Sequence, residues 1–146
     1  MELSASDKHH LNAAGGWLDL DEPVEANKEL EEIGFANRTH LEVLFLRCRV
    51  YLATHRAEYA YDIATSLAEQ LPELAESWFY LASACARLSQ NEAAASALKK
   101  CFLAADRNDA QKEWQERALA AKDLEGTKRN RFETRETTPA RGRMRS

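Results

Sequence analysis

Written as three ungapped rows of 34 residues, 7–40, 41–74 and 75–108, the chain repeats its own pattern of large and small side chains. Column 8 of the rows holds Ala14, Cys48 and Ala82, and column 20 holds Ala26, Ala60 and Ala94. Column 11 is Trp17, Tyr51 and Cys85; column 24 is Leu30, Ala64 and Leu98; column 27 is Ile33, Leu67 and Cys101. A fixed period of this length constrains the fold more than any other feature. It implies a repeated unit that cannot bury its apolar face alone and must stack on its neighbours. The small columns let paired helices approach closely, while large residues fill the space beside them.

The pattern resembles the tetratricopeptide repeat family, whose 34-residue unit is a helix–turn–helix with bulky and small residues in these columns. The third row is nearest, with Trp78 in column 4, Leu81 in column 7, then Ala82, Ala94 and Leu98. The second row carries Pro72 in column 32, where the family favours a proline to end the second helix. The rows depart from the pattern at Arg47 in an apolar column and at His10 in place of a bulky residue. Arg38 and Asp106 stand where the proline would be. The resemblance covers about 102 of 146 residues and is specific for fold rather than function. It implies an all-α, right-handed α-solenoid of three helix–turn–helix repeats within residues 1–126, closed by a capping helix over about 109–125. The phrase NAAGGWLDLDEPVEANKELEEI is similar to the first repeat of short bacterial proteins of this family that generally have no assigned activity.

Local signals agree with the frame. Ala, Leu and Glu dominate, with only 5 Gly and 3 Pro, a balance that favours helices. Asp21 before Glu22-Pro23 reads as a cap with proline in the first helical turn. Ser89-Gln90-Asn91-Glu92 reads as a capping box, or Asn91 as the cap of a helix running to about Ala105. Beyond the third row, Ala110, Trp114, Ala118, Ala121 and Leu124 fall on one helical face and predict a seventh helix ending at Gly126. Residues 127–146 lack apolar periodicity and read as a disordered tail. Charge is divided: residues 1–125 carry a net −9 and the tail a net +5.

Several chemistries find little support. Cys48, Cys85 and Cys101 occupy helix-packing columns and are odd in number, which suits reduced, inert thiols. His9 and His10 are adjacent and diverge on a helix, so they do not chelate a metal from one face. The carboxylates of EANKELEEI suit a solvated helix face, and Gly15-Gly16 lacks the following Lys-Ser/Thr of a phosphate loop. Those glycines read either as a close helix contact or as a loosening of the first helix. No cofactor, metal or catalytic residue is expected. No apolar run is long enough for a secretion signal or for the ~18–20 residues of a membrane span, so a cytoplasmic protein without a membrane partner is expected. Phe132 is the tail's lone aromatic, so nucleic-acid binding through its arginines is disfavoured.

What remains is surface. The resemblance implies that columns 2, 5, 9 and 12 face a concave groove, giving Leu11, Phe45, Arg49, Leu52, Phe79 and Ser83, with Tyr80 and Arg87 at its margin. In relatives that clamp a chaperone's C-terminal carboxylate, Lys, Asn and Arg occupy positions held here by Leu11, Gly15, Leu46, Glu76 and Tyr80. The clamp is missing. The function expected is a non-catalytic protein-interaction module that takes a peptide or amphipathic helix in an apolar groove. The alternatives are a self-associating homo-oligomer, or a groove covered by the chain's own segments.

Overall fold

The computed structural model describes residues 3–34, 37–108, 111–121 and 124. Among them are seven α-helices and no strand: α1 Ala5–Asp19, α2 Pro23–Glu31, α3 Leu41–Ala53, α4 Ala57–Gln70, α5 Ala75–Arg87, α6 Asn91–Arg107 and α7 Lys112–Ala120. The all-α class expected from composition is the one adopted.

The period is written in the backbone. α1, α3 and α5 end at residues 19, 53 and 87, and α2, α4 and α6 begin at 23, 57 and 91, each set spaced by 34. Between them stands one left-handed residue per turn: Asp21 (φ 60°), His55 (φ 62°) and Ser89 (φ 62°). The closing hydrogen bonds recur as well. Glu22 N–H donates to the Trp17 carbonyl at 2.8 Å, Arg56 to Tyr51 at 2.8 Å and Gln90 to Cys85 at 2.9 Å. A bond spanning a left-handed residue in this way is a Schellman helix end. Glycine usually occupies it; Asp, His and Ser do so here at about 1–2 kcal/mol each. A three-residue link between packed helices makes them antiparallel neighbours.

This turn corrects two expected caps. Asp21 and Ser89 finish the preceding helix instead of starting the next one. α2 opens on Pro23 after Glu22, which makes no side-chain cap bond, and α6 opens on Asn91 after Gln90, which makes none either. Ser4 does cap α1, accepting from Asp7 N–H at 3.0 Å.

Burial follows the columns. All three residues of columns 8, 20 and 24 expose 0%, and those of column 27 at most 3%. The chain divides into two compact units, residues 1–67 and 68–146, with the division inside α4. In the first unit α1 packs on α2, and α3 packs on both. Leu11, Ala14, Leu30, Ile33, Val43 and Val50 form much of its core. Cys48 approaches the Ala60 carbonyl, Sγ to O 3.9 Å, joining α3 to α4. In the second unit α5 packs on α6, and α7 lies on both. Leu98, Cys101, Phe102, Ala118 and Leu124 are buried there.

Trp78 and Leu81, expected in the core, are partly buried and packed against it. The glycine pair makes no close contact: a Cβ at Gly15 or Gly16 would meet no atom within 4 Å. Ala110, Gly126 and the tail 127–146 lie outside the described residues.

Candidate functional site

Of the eight residues expected to meet a partner, five present almost no surface. Leu11, Phe45, Leu52, Tyr80 and Ser83 expose 8%, 6%, 7%, 4% and 2%. Leu11 belongs to the core of the first unit. Phe79 is half-buried, and its ring lies 5.3 Å from Tyr80 and 5.5 Å from Trp114; Tyr80 and Trp114 are 5.8 Å apart. These separations and tilted geometries are those of favourable aromatic packing. So in the third row the chain's own α7 occupies the surface on which Phe79 and Tyr80 were expected to receive a partner. Arg49 is partly exposed and pairs with Asp19 at 3.2 Å. Arg87, at the end of α5, is exposed.

Sequence reasoning missed what holds α7 there. α5 has no side-chain cap of its own at Leu74. Gln111 supplies one from 36 residues away: its Oε1 accepts from Ala75 N–H, and its Nε2 donates to the Glu73 carbonyl at 3.1 Å. A side-chain oxygen on a first-turn N–H satisfies a donor that the helix itself cannot. No local motif could have indicated it, because the bond joins distant parts of the sequence.

The departures from the repeat pattern become polar braces in the first unit. His10 Nδ1 lies 2.9 Å from Glu29 Oε1, and Trp17 Nε1–H donates to Glu29 Oε2 at 3.3 Å. These bonds, the His10 one foremost, hold the Glu29 carboxyl below its ordinary value. Arg47 is largely covered and faces Glu31 at 3.6 Å. Arg38 reaches the end of α2, donating Nε–H to the Ile33 carbonyl at 3.2 Å and a terminal N–H to Glu31 at 3.0 Å. Those carbonyls have no helical partner of their own. Asp7 is buried and accepts from Gly34 N–H at 3.0 Å and Asn37 Nδ2–H at 2.6 Å. The Gly34 bond and then the Asn37 bond push its carboxyl below the usual range. One carboxylate thereby ties the first turn of α1 to the segment that leads into α3.

The thiols lie where the columns put them. Cys48, Cys85 and Cys101 are buried, and none of them is joined in a disulfide. Burial pushes the Cys85 thiol up and that of Cys101 up to about 12, which disfavours the nucleophilic thiolate. Among the described residues no group of three or more His, Cys, Asp or Glu side chains converges as a metal site. None of their helices is long and apolar enough to cross a membrane.

Among the described residues each unit carries a surface depression. The first, about 300 Å³, lies between Val24, Asn27 and Glu31 of α2 and Arg47, Val50 and Tyr51 of α3. The second, about 430 Å³, lies between the end of α4, Pro72 and Trp78, and the α6 face bearing Lys100, Leu103 and Arg107.

No family model matches the chain, and no solved structure matches it. The chain is similar to the uncharacterized protein YfbP of Escherichia coli K12, with 35% identity over 89 residues. That match takes in 60% of this chain but 30% of the relative, so the chain spans under a third of that protein's length.

Proposed function

We propose that the chain is a tetratricopeptide-type scaffold that binds another protein and catalyses no reaction. One observation carries the reading: helix ends, left-handed turn residues and buried columns all recur at 34 residues. Side chains committed to that packing are not available for chemistry, and what varies from row to row is surface. A right-handed solenoid with a peptide-binding face belongs to this reading, as does a bacterial, cytoplasmic setting. With Phe79 and Tyr80 engaged by Trp114, a partner on the third row would meet the margin of the face rather than its aromatic centre.

A second reading, self-association, is favoured by exposed Leu20 (69%), Val24 (61%) and Tyr59 (51%) on the first unit. Light scattering over a wide concentration range separates the two. A constant monomer mass, with saturable binding of a polypeptide first captured by affinity and then purified, supports the scaffold. A mass that rises with concentration supports self-association. A monomer for which no captured polypeptide shows saturable binding refutes both.

A further inference from the structure

We propose that the depression on α6 is a docking site for an acidic peptide segment that carries an apolar side chain. The proposal rests on the protein-binding reading above and gives it a location and a chemistry. Lys100, Leu103, Ala104 and Arg107 all line the depression, and their spacing places them on one face of α6. Trp78 forms the wall beside them. Its indole N–H donates to the Pro72 carbonyl at 2.8 Å, which fixes the ring's orientation. Lys100 Nζ sits 4.8 Å from the ring centroid, so the ring face holds the ammonium in place before any ligand arrives. Leu103 is 46% exposed, a large apolar side chain left in water between two cations.

Charge selects the occupant. The charged side chains lining the depression are Lys100, Arg107 and Glu69, two cations to one carboxylate, on a chain whose net charge is −4. The positive end of α5 and the negative end of α6 both lie nearby and oppose each other, so the side chains set the local sign. Shape selects it too. A volume of about 430 Å³ open to solvent suits a length of chain laid across it better than an enclosed small molecule. Seven residues of helix separate Lys100 from Arg107 by about 10 Å. An extended peptide covers that distance in about three residues. The recognised segment therefore has two acidic residues three apart, with an apolar residue between them to lie on Leu103 and Trp78. Arg107 can take its carboxylate through two parallel N–H bonds, while Lys100 meets the other as a point charge.

Selection of phage-displayed random dodecamer peptides on the full chain tests this. The expected result is enrichment of peptides with paired acidic residues in that spacing around an apolar one. Fluorescence anisotropy of the enriched peptides should then show affinity falling about tenfold or more for the K100E/R107E variant and several-fold for Leu103→Ser, with helical circular dichroism retained. Arg56→Glu, on the first unit, should leave binding unchanged. Enriched peptides without acidic residues, or with equal affinity for wild type and K100E/R107E, overturn the site while leaving the protein-binding reading standing. Failure to enrich any peptide over the bare surface counts against both.

Discussion

Replacing Trp114 by Ala should destabilise the second unit by about 2–4 kcal/mol, although the residue lies near one end of the described chain. Its ring contacts with Phe79 and Tyr80, at 5.5 and 5.8 Å, contribute about 0.5–1.5 kcal/mol each beyond area burial. The indole is half-buried, and the apolar surface it removes from water adds about 1 kcal/mol more. Arg117, 4.5 Å above the same ring, adds little because it is exposed. α7 has nine residues, too few to persist as a helix without packing, so some helical signal should be lost with the contact. Urea denaturation followed by circular dichroism measures the change. Trp114→Leu should recover part of the loss by restoring apolar bulk. Glu116→Ala, at an exposed position on the same helix, should stay within about 0.5 kcal/mol of wild type. A Trp114→Ala variant as stable as that control would refute the assignment of α7 as a packed cap on Phe79 and Tyr80.

Three further outcomes are expected. Gly16→Ala should stabilise the chain by about 0.5–1 kcal/mol, because it sits within α1 with open space around it; a loss would mean that the glycine serves some contact. Ser89→Val should cost about 1–2 kcal/mol, and Ser89→Gly should be tolerated, in denaturant titrations; equal effects would contradict a left-handed turn at that position. For Asp7 the folded carboxyl lies below its unfolded value, so its contribution is present above pH ~4 and disappears as pH falls through the lowered folded value. Melting midpoints of wild type and Asp7→Asn should therefore differ near neutrality and converge in acid, whereas parallel curves would exclude a stabilising role for the Asp7 carboxylate bonds to Gly34 and Asn37.

Much of the packing was legible because packing repeats. A column that must be small in one row must be small in the next, so Ala26, Ala60 and Ala94 could be placed from spacing alone. Capping was read less well. Asp21 and Ser89 have side chains that suit an N-cap, and sequence does not say which of two flanking helices will claim a residue in a three-residue link. Backbone bonds to Trp17 and Cys85 decide it in favour of the preceding helix. The candidate surface was read least well. Columns give the direction in which a side chain leaves its helix, but not what arrives to cover it. Tyr80 and Phe79 point where the period says, and Trp114 comes from a helix outside the period to meet them. The Gln111 cap and the Lys100–Trp78 contact are likewise products of tertiary structure that no window of sequence contains.

The braces of the first unit bear on how such a repeat is found at all. A profile scores each column independently, so His10 and Arg47 each count as a mismatch. In the folded chain each departure is half of a matched pair, His10 with Glu29 and Arg47 with Glu31, while Arg38 closes the end of α2 where a proline would have stopped it. In this chain a contact between side chains takes the place of the residue the column would otherwise hold. Placing an apolar residue at position 10 or 47 would therefore take a contact away from Glu29 or Glu31 rather than simply restore the column.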